Sequence, residues 1–374
     1  MAEKVKLAFI GCGGMARFHL KGLKDLKEEG NELFSIEAVC DVEEQRAKSF
    51  SKEVSGLFGN QPLVYTDPEE LLKRKDIEAV SICTTHITHY PLAKEAIKAG
   101  KHIMIEKPLA ITLSEGRKIV ELVERSGLVF AVAENYRRIP LNRAIKRMLE
   151  EKLIGEIYFF LYQWAGVGDK IFCGTPWRHR RSESGGGCMF DNGVHDSDLM
   201  QYWFGEVDEV YGTIKTYIPI REEKSLRVEA TNEDFGAAII SFKSGVSGSW
   251  MGSWAANKGF HFVEIVGSRG TYYGERGVEL KSGQVISKEE LVKKYASDVR
   301  ENSVASEYED FFRAIATGKG PETDALVGLK AMALSYALYE SAELGKPVKF
   351  DDVLEGRIAN FEKKVVAAIE SRLS

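Results

Sequence analysis

Two places in this chain of 374 residues set acids and bases at spacings that could move a proton. The first is Glu106-Lys107-Pro108, which closes the short apolar run His102 to Ile105. A few apolar residues bounded by Gly100 and Pro108 read as an interior strand of a parallel sheet. The charged pair would then stand at the carboxyl edge of the sheet, the side on which open α/β sheets bind ligands. A lysine fixed there can orient a hydroxyl or stabilise a developing oxyanion; the ordinary alternative is a solvated loop that carries Glu and Lys. The second place is Asp191 and His195, i and i+4 in a run that reads as one helix from Cys188 to Phe204. Such residues share a helix face, and a carboxylate beside an imidazole raises its basicity. His195 could then accept a hydroxyl proton, although exposed Asp–His pairs on helices are common.

Composition limits the field. Net charge is −5, from 56 acids and 51 bases, and no basic block stands out, which predicts neither a nucleic-acid nor a membrane partner. The cysteines Cys12, Cys40, Cys83, Cys173 and Cys188 show no CxxC spacing and read as small buried hydrophobes of a reducing compartment. No apolar run reaches membrane-spanning length, and the start at Met1-Ala2-Glu3-Lys4 does not resemble a signal peptide. The expectation is a cytoplasmic protein of two domains.

The first third supplies the elements that would position Lys107. Lys6 to Ile10 is a strand-like run that breaks into Gly11-Cys12-Gly13-Gly14-Met15-Ala16 before a helical pattern. In such a GxGxxA turn Gly11 permits the bend, Gly13 lets the backbone approach a pyrophosphate, and Ala16 allows close helix packing. By itself the turn is weak evidence, because any tight strand-to-helix connection favours glycine. The next run ends at Asp41, an acid placed to bind the ribose hydroxyls and repel a 2′-phosphate, which points to NAD over NADP; an aspartate there would equally cap the following helix. Further runs at 63–65, 79–83, 102–105 and 129–134 alternate with helical patterns, giving six strands of a doubly wound parallel sheet over residues 1–136. The candidate cofactor contacts are the glycine turn, Asp41, Thr84, Thr85, His86 and His89 after the fourth strand, Glu106 and Lys107 after the fifth, and Asn135 after the sixth. His86 and His89 read equally well as a helix cap. His19, His102 and His261 read as structural.

The glycine turn, Asp41, the EKP triplet and the run Gly185-Gly186-Gly187-Cys188-Met189-Phe190-Asp191-Asn192-Gly193-Val194-His195-Asp196 together resemble the Gfo/Idh/MocA family, named for glucose–fructose oxidoreductase and inositol dehydrogenase. The resemblance extends from the first strand to about Gly345. It implies an N-terminal Rossmann domain and NAD(P)-dependent oxidoreduction of a sugar, inositol or related polyol. It also implies that Lys107 lies between nicotinamide and substrate, that Asp191 and His195 complete the active site, and that Arg178 and Asn192 belong to the substrate side. The chain departs from the usual Thr-Pro-Asn at Thr84-Thr85-His86.

Residues 137–374 read as a substrate-binding α+β domain with a mostly antiparallel open sheet, from runs near 157–164, 207–217, 234–242, 246–254 and 260–266. Helices drawn from 188–204 and 303–344 are expected to cover one face. Trp250, Met251, Trp254, Ile239 and Ile240 put bulky groups on both faces, so pairing of sheets into a homodimer or homotetramer is expected, as the resemblance also implies. The basic cluster Trp177 to Arg181 would suit an anionic substrate through Arg180 and Arg181. Asp191, His195 and Asp198 have something of a zinc-ligand spacing, but no HxxxH or cysteine partner stands nearby, and no metal is expected; no GxSxG elbow occurs. A last helical stretch runs from Asp351 to Leu373. The reading is thus a dehydrogenase acting on a secondary hydroxyl, with an NAD-dependent glycoside hydrolase and a non-catalytic sugar or dinucleotide sensor as rivals.

Overall fold

The computed structural model describes residues 4–31 and 33–373. Two units form: residues up to Arg138 together with Arg300–Leu329, and Ile139–Val299 together with Lys330 onward.

In the first unit six strands, β1 (Val5–Ile10), β2 (Phe34–Cys40), β3 (Leu63–Tyr65), β4 (Ala79–Ile82), β5 (His102–Ile105) and β6 (Phe130–Val132), pair in parallel in the order β3-β2-β1-β4-β5-β6. Strands covered on both faces must be apolar throughout, and β4 and most of β1 are fully buried. Helices α1 (Gly14–Glu28), α2 (Glu44–Phe58), α3 (Pro68–Leu72), α4 (His89–Lys98) and α5 (Leu113–Ser126) follow in alternation. Their ends follow local chemistry: the Asp67 side chain caps α3, Thr112 caps α5, and the left-handed Gly59 and Gly127 stop α2 and α5. Leu20, Leu23 and Leu26 of α1 are buried on one face, at about 1.5–3 kcal/mol each.

In the second unit α6 (Pro140–Glu150), α7 (Arg181–Ser184), α8 (Cys188–Asp191), α9 (Gly193–Phe204) and α10 (Lys288–Tyr295) accompany a larger sheet. Its strands are β7 (Ile157–Ala165), β8 (Val207–Lys215), β11 (Phe235–Phe242), β12 (Ser247–Ser253), β13 (Phe260–Gly267), β14 (Gly270–Tyr273), β15 (Gly277–Leu280), β16 (Val285–Ile286) and β17 (Val348–Lys349), while β9 (Ile220–Glu223) and β10 (Leu226–Glu229) form a separate hairpin. The nine strands run in the order β16-β15-β14-β13-β7-β12-β11-β8-β17, antiparallel except for the β12–β7 pair. The period of two sorts the side chains: Phe160, Tyr162, Trp250, Ala238, Ile240 and Val210 are buried on one face. Phe159, Tyr211, Ile239, Phe260 and Phe262 are exposed on the other, with Ile239 at 54% and its cross-strand neighbour Tyr211 at 52%.

Three expectations change. Residues 300–329 belong to the first unit, not to a domain running from 137 to the end. The reason is α11 (Ser303–Thr317), which lies on α1 where Gly22 leaves room: a Cβ there would stand 2.7 Å from Val304. Of the helices expected over the large sheet, α11 therefore packs elsewhere. The helix read from Cys188 to Phe204 breaks at Asn192 into α8 and α9. The C-terminal stretch likewise breaks into α13 (Phe350–Leu354) and α14 (Asn360–Leu373), after α12 (Ala325–Leu344). Glu340 of α12 starts α14 by accepting from the amides of Asn360, Phe361 and Glu362.

Candidate functional site

At the carboxyl edge of the first sheet the glycine turn makes two different demands. Gly11 has φ +90°, and a Cβ there would lie 2.5 Å from the Cys83 carbonyl and 2.9 Å from Thr84 Cγ2. Only glycine lets β1 and β4 end this close. Gly13, by contrast, has nothing within 4 Å of its Cβ position, so the space it leaves is open at the N-terminus of α1, where anions bind. Arg17 fixes this helix start, donating from Nη1 to the Cys12 carbonyl at 2.9 Å while its Nε and Nη2 hold Glu53. Asp41, buried at the end of β2, accepts from the Cys12 amide at 2.9 Å and from the Glu43 amide at 2.9 Å, and pairs with Arg46 at 3.2 Å. The acid and the turn are thus locked together. Open space at Gly13, the helix start and an acid after the second strand fit a dinucleotide.

After β5 the chain turns through Glu106 and a cis Lys107–Pro108 bond. The Lys107 amide donates to Glu106 Oε2 at 3.1 Å. His89 braces the turn from α4: its Nδ1 is 2.7 Å from the Pro108 carbonyl and its Nε2 3.3 Å from that of Thr84. Burial and the nearby His86 hold its pKa down to about 4, so the neutral ring donates through Nδ1. Both ring nitrogens thus face protein carbonyls. Thr84 accepts from the Thr88 hydroxyl at 2.8 Å, Thr85 precedes the short turn in which His86 is buried, and the Asn135 amide donates to Ser303 at 3.2 Å. Glu134, one residue earlier, is fully buried, and burial pushes its carboxyl up to about 8 against the pull of Lys107 and Arg137.

The second unit positions the other candidates with a buried polar framework. Asp191, 1% exposed, pairs with Arg178, whose Nε lies 3.1 and 3.2 Å from its two oxygens. Asn192 Oδ1 accepts from the Trp254 indole at 2.8 Å. His195, 8% exposed, begins α9 with its amide on the Asn192 carbonyl at 3.0 Å. Asn192, between Asp191 and His195, keeps helical backbone angles of φ −88° and ψ −40° although the assigned helix is interrupted there. Asp196, next in sequence, accepts from the Trp164 and Trp250 indoles at 2.5 and 3.0 Å, and burial pushes its carboxyl up to about 6. Asp198 is buried too, not solvated.

The glycines before α8 are packed, not flexible. A Cβ on Gly187 would overlap the Glu233 carbonyl, and the Gly187 amide donates to both Glu233 oxygens at 3.0 and 2.9 Å. Of the basic cluster, Arg180 pairs with Glu183 and Arg181 lies 5.1 Å over the Phe361 ring. Each of the two arginines expected to meet an anionic substrate thus has a protein neighbour, and Arg178 of that cluster pairs with Asp191. His179 accepts from the Phe172 amide at 3.0 Å, and burial with Arg221 nearby holds its pKa down to about 4. Cys12, Cys40, Cys83 and Cys188 are buried and free as expected, whereas Cys173 is exposed. Asp196, Glu134 and Glu233 went unread in the sequence. Only Asp196 had a signal, its place directly after His195, since buried carboxylates rarely occur without a partner.

Among the described residues no helix is long and apolar enough to cross a membrane. The family described as an oxidoreductase family with an NAD-binding Rossmann fold matches residues 5–134, and the C-terminal domain of the same GFO/IDH/MocA family matches residues 142–273. The chain is 26% identical over 360 residues to D-apiose dehydrogenase of Paraburkholderia graminis, covering 93% of this chain and 90% of that one. It is 25% identical over 356 residues to myo-inositol 2-dehydrogenase of Thermotoga maritima, covering 94% and 100%. Levoglucosan dehydrogenase, solved in complex with NADH, superposes with a TM-score of 0.79 at 25% identity over 93% of this chain and 99% of that one. The two family models, the six-stranded parallel sheet with its glycine turn, and the EKP triplet agree: this chain belongs to the GFO/IDH/MocA oxidoreductases.

Proposed function

We propose that the protein is an NAD-dependent dehydrogenase that interconverts a secondary hydroxyl of a sugar, inositol or related polyol with the corresponding ketone or lactone. The observation that carries this reading is the seating of Lys107 at the carboxyl end of β5 in an NAD-binding sheet, its amide tied to Glu106. The relatives support the substrate class, since those named are dehydrogenases of D-apiose, myo-inositol and levoglucosan. Bound at Gly11 to Ala16 and Asp41, NAD supplies the hydride acceptor. Asp41, committed to the turn, favours ribose hydroxyls over a phosphate, hence NAD over NADP. The Lys107 ammonium orients the hydroxyl, His195 takes its proton, and Asp191, neutralised by Arg178, fixes the imidazole and substrate with help from Asn192.

The rest of the proposal concerns the setting. The exposed aromatic and aliphatic face of the large sheet supports assembly into a homodimer or homotetramer. The free cysteines and the absence of a basic face support a cytoplasmic location without nucleic-acid or membrane partners. The experiment that tests the function is NADH formation across a panel of inositols, aldoses, anhydrosugars and their acids, with Lys107→Ala beside the wild type. Turnover of at least one neutral polyol, lost in the variant, is the expected result; no turnover across the panel would overturn the reading.

A further inference from the structure

A chain of buried polar side chains leads from the Lys107 turn into the core of the first unit, and the reaction as described leaves it without a role. Glu106 Oε1 lies 2.7 Å from His19 Nε2, while Oε2 takes the Lys107 amide. His19 Nδ1 lies 2.9 Å from the Tyr308 hydroxyl, which in turn is 2.7 Å from Ser81 Oγ. The members come from β5, α1, α11 and β4, and all are buried. Residue 19 reads from the sequence as a structural histidine within α1.

Stability does not account for this arrangement. A leucine or phenylalanine would fill the same volume without desolvating a carboxylate and an imidazole, and buried ion pairs commonly do no better than well-packed apolar replacements. The pair also has a definite charge. Burial disfavours the charged ring, but the neighbours Cys83, Tyr308 and Glu106 outweigh it, and its pKa stands well above the ordinary value. Two further carboxyls face the cluster, Glu134 at the end of β6 and Glu307 on α11. Burial pushes each up to about 8, opposed by Lys107 and Arg137 at the first and by Arg138 and His19 at the second. The arginines are themselves drawn to Glu322 and Asp310. At neutral pH Glu134 and Glu307 therefore hold their protons, and Glu106 is left as the carboxylate next to Lys107.

We propose that His19 is a positioning residue for Lys107: its imidazolium, anchored by Tyr308, neutralises and fixes the Glu106 carboxylate that holds the Lys107 turn. The inference rests on the reading of Lys107 as the group that orients the substrate hydroxyl. Two consequences follow from simple electrostatics. Without the imidazolium, one positive charge is lost beside the Lys107 turn, which moves the alkaline limb of the reaction upward. Without the anchor, the lysine wanders from the hydroxyl it must meet, and positional error costs turnover far more than binding.

The test uses full-length His19→Gln, which keeps a donor towards Glu106 but removes the charge, with Tyr308→Phe and Lys107→Ala alongside. For His19→Gln, kcat should fall about tenfold or more while KM for the polyol and Kd for NADH stay within about twofold. The alkaline limb of the kcat profile should also move up by about half a pH unit or more. Tyr308→Phe, which removes one hydroxyl, should show the same shift in smaller measure, and it carries the test if His19→Gln does not fold. An unmoved limb in a folded variant, with or without a fall in kcat, overturns the proposal, as does a loss confined to Kd for NADH. Full turnover by Lys107→Ala would instead sink the reading of Lys107 on which the proposal rests.

Discussion

Arg178 spans both oxygens of the Asp191 carboxylate, with Nε 3.1 and 3.2 Å away and the acid almost wholly shielded from water. Removing one partner of such a pair strands the other charge. Arg178→Ala should therefore cost about 3–5 kcal/mol of stability. Arg178→Lys should recover little, because an ammonium cannot reproduce the planar contact. Asp191→Asn should keep most of the stability and lose most of the turnover. Thermal melts and kcat on the same preparations separate these outcomes.

The two glycines of the turn should fail in opposite ways. Gly11→Ala meets the Cys83 carbonyl at a backbone angle that only glycine adopts easily, and should lower stability by about 1–3 kcal/mol or prevent folding. Gly13→Val fills open space and should leave the melting temperature nearly unchanged while weakening NADH binding by about tenfold or more. Fluorescence titration with NADH on the folded variants decides this. Wild-type affinity in Gly13→Val would contradict the placing of the pyrophosphate.

Asp41 holds Arg46 in an ion pair as well as bonding the glycine turn. Replacing it by serine retains an acceptor for the Cys12 amide, removes the repulsion towards a 2′-phosphate and leaves Arg46 with Glu43 as its remaining ion-pair partner. The ratio of kcat/KM for NADP over NAD should rise by about tenfold or more in Asp41→Ser. An unchanged ratio would show that the acid serves the turn alone.

Glu307 gives a prediction about pH. Its Oε1 has no hydrogen-bond partner, and burial pushes the carboxyl up to about 8 in the folded chain. An unfolded glutamate ionises from about 4.3. Between those values the unfolded state releases a proton that the folded state keeps, so stability falls as pH rises through this window and levels off above 8. Glu307→Gln removes that slope, and should raise stability relative to wild type by about 4–5 kcal/mol at pH 8.5 and hardly at all at pH 4.5. Urea melts at the two pH values measure it; an equal effect at both would refute the assignment.

The open face of the large sheet should be sensitive to charge. Ile239→Lys and Tyr211→Lys, on neighbouring strands, place ammonium groups where apolar side chains now meet water. Sedimentation or light scattering should show an oligomer for the wild type and a monomer for the double variant. A monomeric wild type would remove the argument for assembly.

Much of this was legible before any coordinates, for physical reasons that differ by region. The strands β1, β2, β4, β5 and β6 are short, mostly apolar and punctuated by glycine, proline or an acid, so the parallel sheet and its carboxyl edge followed from the pattern. What failed was set by contacts remote in sequence. Nothing near residue 303 announces that α11 returns to α1, because the cause is the missing side chain of Gly22. The Trp254 indole that holds the Asn192 side chain comes from 62 residues away. His89 reads equally as a cofactor contact or a helix cap from its place after β4; the two carbonyls its ring faces are ones sequence cannot show. The neighbours of Arg180 and Arg181, Glu183 and the Phe361 ring, are likewise beyond what the pattern shows.

Of the five tryptophans, Trp164 and Trp250 donate to Asp196, and Trp254 donates to Asn192. Indole emission depends on what its N–H meets, so the protein carries its own optical gauge of the segment that holds Asp191 and His195. Acidifying through about pH 6, where Asp196 gains a proton, should change the spectrum without any added dye, and Asp196→Asn should leave it flat.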